Sequence, residues 1–128
     1  MSHLLLDTRA FLWWLANDAA LGERARAEIA RVENPVFVSA ASFWEIGIKR
    51  AMGKLEAPEN LQDVLLEASF LGLPIQIAHA ELAGRLPLHH RDPFDRMLVA
   101  QAIVEGLQLV TADHQLTAYG IPILDAHS

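Results

Sequence analysis

The chain has 128 residues, of which 52% are hydrophobic and 20% are charged, and it contains no cysteine. This composition predicts a single domain over residues 1–128 and excludes a disordered chain, disulfides, zinc–thiolate sites and cysteine nucleophiles. Its 16 Asp and Glu residues outnumber 10 Lys and Arg residues, and the net charge of −6 argues against a protein that coats nucleic acid through a basic surface.

The first half of the chain predicts two strands and four helices. Thr8 and Ser39 are residue types that cap helices, and each follows a short apolar run. In chain order the elements are a strand at 4–6, helices at about 8–16 and 21–32, a strand at 36–38, and helices at about 40–52 and 61–71.

The second half continues the alternation. Asp92-Pro93 is a strong helix start, because an acidic cap precedes a proline at the first helical position. The predicted elements are a strand at 73–77, a helix at 78–84, a helix at about 93–105, a strand at 109–111, a short helix at 114–118 and a strand at 121–124. This order favours an α/β fold with a central parallel sheet of about five strands and helices on both faces.

No apolar segment is long enough for a signal peptide or a membrane span. The apolar run before the first acid, Asp7, is only three residues long (Leu4-Leu5-Leu6), which is too short for the core of a signal peptide. No other apolar run approaches the roughly 18 residues that a membrane-spanning helix needs. We therefore expect a cytoplasmic protein without membrane attachment.

Four acids fall at one edge of the predicted sheet. Asp7 and Asp113 follow the first and fourth strands, Asp95 lies in the first turn of a helix, and Glu45 lies in the helix after the second strand. Strand ends and helix starts share an edge of a parallel sheet, so these carboxylates can converge. Clustered carboxylates need a compensating cation, and oxygen ligands favour Mg²⁺ or Mn²⁺, which can activate water beside a phosphate.

Each acid also has a purely structural interpretation. Asp7 and Asp113 can cap the helices that follow them, and Asp95 can act as a capping-box acid. Glu45 can form an ion pair with Lys49, four residues later on the same helix. The residues alone leave both interpretations open.

The other residues of chemical interest are interpreted as structural. His79 is interpreted as a polar residue in a first helical turn, and His89-His90 as solvated loop residues. The tryptophans are interpreted as core or dimer contacts: Trp13, Trp14 and Trp44. No glycine-rich phosphate loop is present in the sequence.

Sequence motifs resemble one known family. Leu6-Asp7-Thr8, Ser39-Ala40-Ala41-Ser42-Phe43-Trp44-Glu45, Asp92-Pro93-Phe94-Asp95-Arg96 and Thr111-Ala112-Asp113 occur in family order over nearly the whole chain. Together they resemble the PIN-domain toxins, the VapC ribonucleases of type II toxin–antitoxin systems. The resemblance implies a three-layer α/β/α fold and Mg²⁺- or Mn²⁺-dependent cleavage of RNA.

The resemblance also implies roles for particular residues. The implied catalytic pocket is Asp7, Glu45, Asp95 and Asp113, with the metal held by Asp7, Asp95 and Asp113. Asp92 matches a motif position but is better interpreted as a helix cap. The implied supporting residues are Thr8, Thr111 and Arg96. Family members dimerise and bind a cognate antitoxin, so RNA, a second copy and an antitoxin are the expected partners.

Basic residues flank the predicted pocket. Lys49 and Arg50 follow Glu45, and Arg91 precedes Asp95. Basic groups beside an acidic pocket suit a polyanion whose scissile phosphate reaches a metal, so Lys49, Arg50 and Arg91 are predicted to contact RNA. A solvated charged rim is the alternative.

Two other functions fit parts of this pattern. A phosphoacceptor receiver domain shares the size, acidity and parallel sheet, but it needs a lysine at the end of a late strand, and the lysines here are Lys49 and Lys54. A non-catalytic PIN domain that only binds RNA or protein is the second alternative.

Overall fold

The computed structural model describes residues 2–128. Its strands are β1 (Leu4–Leu6), β2 (Val36–Ser39), β3 (Leu71–Leu73), β4 (Gln108–Thr111) and β5 (Ile123–Asp125). Its α-helices are α1 (Thr8–Ala16), α2 (Glu23–Ala30), α3 (Ala40–Ala51), α4 (Leu61–Glu67), α5 (Ile77–Arg85) and α6 (Pro93–Glu105), and a 3₁₀-helix spans His114–Tyr119. Within residues 2–128 no helix combines the length and hydropathy needed to cross a membrane.

All five strands are parallel and lie in the order β3-β2-β1-β4-β5. The chain builds outward from β1 to β3 and then returns to the other side of β1 for β4 and β5. The carboxyl ends of β1 and β4 therefore border a topological switch point, where parallel sheets open a crevice. This sheet confirms the predicted α/β class.

The side chains of β1 alternate between two apolar cores, one on each face of the sheet. Leu4 and Leu6 pack in a core that includes Phe11 of α1 and residues of α2, α3 and α4. Leu5 packs in the other core, with Leu98 of α6 and residues of β4 and the 3₁₀-helix. Successive strand residues face opposite sides, so one three-residue strand holds helices on both faces and produces three layers.

Helix α4 ends four residues earlier than the sequence pattern predicts. Ser69 has a φ of +61°, and its N–H donates to the carbonyl of Leu66 at 3.0 Å. The next N–H, from Phe70, donates to the carbonyl of Leu65 at 3.0 Å. This pair of bonds is the Schellman motif, which ends a helix at a left-handed residue.

The early end of α4 displaces β3. The strand occupies Leu71–Leu73 instead of the predicted 73–77, so that prediction is wrong in its bounds. Pro74 follows the strand, and it has no N–H to donate to a sheet ladder. At the other edge of the sheet β5 begins two residues later than predicted, at Ile123.

The aromatic and histidine interpretations are corrected in part. Trp44 is 66% exposed, so its interpretation as a core residue is wrong, whereas Trp13 and Trp14 are half-buried against the core. His79 lies in the first turn of α5 as predicted, but it is fully buried. Its Nε2 lies 2.8 Å from Glu105 Oε2, which joins α5 to α6.

Replacing Ser69 by glycine tests the end of α4. A left-handed residue with a Cβ is strained by about 1–2 kcal/mol, and the greater unfolded-state entropy of glycine offsets part of the relief. We expect Ser69→Gly to raise the free energy of unfolding by about 0.5–1 kcal/mol in urea melts. Ser69→Ala keeps the Cβ and is the control; an equal gain in both variants would contradict this explanation.

Candidate active site

Asp7 connects β1 to α1 and is 6% exposed. It, rather than the predicted Thr8, is the N-cap of α1, and its Oδ1 accepts a hydrogen bond from the Ala10 N–H at 2.8 Å. Its Oδ2 accepts a hydrogen bond from the Thr111 hydroxyl at 2.7 Å. Burial outweighs these bonds and raises the pKa of Asp7. The carboxylate therefore has a structural role as a cap, and a nearby positive charge would stabilise its ionised form.

Glu45 projects from α3 and is also 6% exposed. Its Oε1 accepts a hydrogen bond from the Thr8 hydroxyl at 2.6 Å, and its Oε2 accepts one from Lys49 at 2.7 Å. The hydrogen bond that Lys49 donates to Glu45 raises the pKa of Lys49. The ion-pair interpretation therefore describes a real contact, although the carboxylate in it is buried instead of solvent-exposed.

Asp95 lies in the first turn of α6, but it does not serve the cap. Asp92 is the N-cap, and its Oδ1 accepts hydrogen bonds from the N–H groups of Phe94 at 2.8 Å and Asp95 at 3.3 Å. Burial, followed by the negative charges of Asp92 and Asp7, raises the pKa of Asp95 to about 7, while the His90 ring acts in the opposite direction. Because Asp92 caps the helix, the Asp95 carboxylate remains available to the site.

Asp113 and His90 meet at the same place. Asp113 caps the 3₁₀-helix through Oδ1, which accepts from the Gln115 N–H at 3.0 Å, and its Oδ2 lies 2.6 Å from His90 Nε2. That nitrogen is also 3.6 Å from Asp95 Oδ2, and the His90 side chain is only 12% exposed. The interpretation of His90 as a solvated residue is therefore wrong, whereas its neighbour His89 is exposed. The sequence feature that could have indicated this position is that His90 lies two residues before Asp92, which caps the helix that carries Asp95.

The predicted acids line one cavity of about 260 Å³ at the carboxyl edge of the sheet. One ligand atom each from His90, Asp95 and Asp113 lie within 4.8 Å of one another, the separation expected of groups that share an ion. Asp7 lines the same cavity but, among the described residues, does not belong to this close group. Hard oxygen donors in a partly buried cavity fit Mg²⁺ or Mn²⁺. The cavity is lined by Asp7, Thr8, Arg9, Leu12, Glu45, Lys49, Leu55, His90, Asp92, Asp95, Ala112 and Asp113.

Arg96 supports the site from outside the cavity. Its guanidinium donates to the carbonyl oxygens of Ala83 at 2.8 Å, Leu86 at 3.0 Å and Pro87 at 3.0 Å. These bonds connect α6 to the loop that leads to His90. Arg96 therefore orders the backbone around the site instead of contributing charge to it.

The predicted RNA-binding residues are separated by the fold. Lys49 lines the cavity, where it is paired with Glu45. Arg50 instead donates to the Pro58 carbonyl at 2.6 Å, and Arg91 is exposed. Neither arginine lines the cavity, so of these three residues only Lys49 lies next to the acids.

Comparison with known proteins identifies the family. Residues 4–122 match the family model of the PIN domain. The chain belongs to the PIN domain family. This PIN domain is 28% identical over 127 residues to ribonuclease VapC22 of Mycobacterium tuberculosis (strain ATCC 25618 / H37Rv), with 95% of each protein covered. The resemblance expected from the motifs is thereby confirmed.

Solved structures show the same PIN fold. A chain of DNA-bound VapBC from Salmonella typhimurium superposes with a TM-score of 0.68 at 25% identity, covering 98% of each chain. A chain of VapBC2 from Rickettsia felis, bound to a DNA fragment from the promoter, superposes with a TM-score of 0.70 at 15% identity, covering 94% of this chain and 96% of that chain.

The raised pKa of Asp95 predicts how stability depends on pH without divalent ions. Between its ordinary value of 3.8 and about 7, the folded PIN domain keeps a proton that the unfolded chain has released. Stability therefore falls as pH rises through this window. We expect Asp95→Asn to raise the free energy of unfolding by about 1–3 kcal/mol at about pH 8 in EDTA, measured by urea denaturation, and to change it little near pH 4.

The control for this experiment is Asp63→Asn, which alters an exposed acid in the first turn of α4. It should leave the pH dependence of the wild type unchanged. If Asp95→Asn were no more stable than the wild type at the higher pH, the ionised Asp95 would carry no cost in this cavity.

Proposed function

We propose that this PIN domain is the toxin of a type II toxin–antitoxin system and a Mg²⁺- or Mn²⁺-dependent endoribonuclease. The observation that carries the proposal is the convergence of Asp7, Glu45, Asp95 and Asp113 on one cavity at the switch point of the sheet. The relative VapC22 is named a ribonuclease, which supports RNA as the substrate.

In this proposal some residues of the site bind the cation, and others hold the carboxylates in position. Asp95 and Asp113 are proposed to hold the cation, because their carboxylate oxygens lie within 4.8 Å of each other, with Asp7 beside them on the cavity wall. When bound, a divalent cation neutralises phosphate charge and makes water a better nucleophile. Burial of Asp7 and Asp95 disfavours their ionised forms, so these carboxylates interact more strongly with positive charge than exposed ones do.

The remaining polar groups hold the carboxylates in place. The Thr111 hydroxyl orients Asp7 and the Thr8 hydroxyl orients Glu45. Lys49 offsets the charge of Glu45 at 2.7 Å, which lowers the repulsion that Glu45 adds to the cavity. Of the three residues predicted to contact RNA, Lys49 is proposed to meet a phosphate near the acids, while Arg50 and Arg91 are proposed to contact RNA farther from them.

The expected protein partners are a cognate antitoxin and a second copy. The similar chains from Salmonella typhimurium and Rickettsia felis come from VapBC complexes with DNA, which supports an antitoxin partner here. A short neighbouring gene that encodes a DNA-binding N-terminus would identify the antitoxin. Homodimerisation is a prediction that light scattering at micromolar concentration tests, and a monomeric mass would contradict it.

RNA cleavage by purified protein tests the proposed reaction. We expect cleavage in Mg²⁺ or Mn²⁺, complete loss in EDTA, and a fall of at least about 100-fold in Asp7→Asn and Asp95→Asn, because each removes charge from the cavity. Gel analysis of a defined RNA measures the rates.

The matched control is again Asp63→Asn, which lies on the exposed surface of α4 and should cleave at the wild-type rate. Full activity in both cavity variants, or cleavage that persists in EDTA, would refute a metal-dependent reaction at this site.

The alternative functions predict different results. The receiver-domain alternative is not supported, because the chain belongs to the PIN family and Lys49 lies on α3 instead of after a late strand. A non-catalytic PIN domain would inhibit growth equally as the wild type and as Asp95→Asn. Equal toxicity of the two on expression would therefore favour binding over catalysis.

A further inference from the structure

The hydrogen bonds of His90 define which of its ring nitrogens carries a hydrogen. The backbone N–H of Asp92 donates to His90 Nδ1 at 3.0 Å. A nitrogen that accepts a hydrogen bond presents its lone pair, so Nδ1 carries no hydrogen and the ring hydrogen lies on Nε2.

The Nε2–H group points at the proposed cation-binding carboxylates. It donates to Asp113 Oδ2 at 2.6 Å, and Asp95 Oδ2 lies 3.6 Å away. A single donor therefore lies close to both carboxylates and is hydrogen-bonded to that of Asp113. Arg96 bonds to the backbone at residues 83–87, and Asp92 anchors the ring itself, so the loop holds this donor in place.

A protonated ring nitrogen cannot bind a metal. For Nε2 to act as a ligand, the ring hydrogen would have to move to Nδ1, where it would face the N–H of Asp92. Two donors would then oppose each other in a partly buried position, which costs free energy. His90 therefore lies within metal-sharing distance of the carboxylates, but the nitrogen that faces them, Nε2, carries the ring hydrogen and cannot act as a ligand.

We propose that His90 is a positioning residue that competes with the divalent cation, its Nε2–H donating to Asp113 beside Asp95 until a cation displaces it. The proposal rests on the proposed function, because it takes the cation site as given. Binding a cation then requires the loss of the hydrogen bond to Asp113. The loop that leads to His90 thereby lowers the affinity of the site for its cation.

Mn²⁺ binding to the full chain, followed by electron paramagnetic resonance of the free ion, tests the competition. Because the competing hydrogen bond is lost in His90→Ala, we expect this variant to bind Mn²⁺ about 3- to 10-fold more tightly than the wild type. His89→Ala is the matched control, since the exposed His89 ring packs against Tyr119, and its affinity should equal that of the wild type. Weaker or unchanged binding by His90→Ala would overturn the proposal.

The wild-type protein provides a second readout that needs no substitution. Long-range ¹H–¹⁵N spectra of its histidine rings should show the hydrogen of His90 on Nε2, both before and after saturation with Mg²⁺, with a shift in the Nε2 resonance on binding. Movement of the hydrogen to Nδ1 on Mg²⁺ addition would identify His90 as a ligand and overturn the proposal.

The outcomes separate the two proposals. If the wild type binds Mn²⁺ but His90→Ala binds it more weakly, the cation site stands and the competition is refuted. If the wild type binds no Mn²⁺ at millimolar concentration, the proposed metal-dependent function fails, and the competition fails with it.

Discussion

The repulsion between carboxylates in one small cavity is the constraint on which this structure depends. Most of the acids have a partner that reduces it: the Thr111 hydroxyl and a helix start serve Asp7, and Lys49 serves Glu45. Asp95 has the least compensation, and burial with neighbouring charge raises its pKa to about 7. Burial raises the pKa of Asp7 as well, so the ionised forms of both Asp7 and Asp95 are disfavoured until a positive charge compensates them.

The sheet supplies the rigidity that holds such charges together. The Asp7 N–H donates to the Val110 carbonyl at 3.0 Å, which continues the ladder between β1 and β4 one residue past the end of β1. The Thr111 hydroxyl then connects both sides of the crevice, because it donates to Asp7 and accepts from the Asp113 N–H at 3.1 Å. Since β1 is buried between two apolar cores, the Asp7 carboxylate cannot withdraw from the cavity without disturbing the centre of the fold.

The start of α6 completes the cavity, and the charged residues of its motif make different contacts. In Asp92-Pro93-Phe94-Asp95-Arg96 the first acid caps the helix, the second faces the cavity, and the arginine binds the carbonyl groups of the preceding loop. The same motif also orients His90, through the Asp92 N–H. A short segment therefore sets the position of the helix, of one carboxylate and of the hydrogen-bond donor that opposes it.

The local sequence was sufficient to predict the α/β class, most helices and the convergence of the acids, because strand–helix alternation places strand ends and helix starts at one sheet edge. It could not predict the partners of those acids. Whether Asp95 faces the cavity, whether Glu45 is exposed, and where His90 lies depend on contacts between residues far apart in the chain. The bounds of β3 likewise followed from the left-handed turn at Ser69, a conformation that serine rarely adopts. Periodicity reports which face of an element is buried, whereas burial depth, hydrogen-bond partners and pKa values arise only when the elements pack.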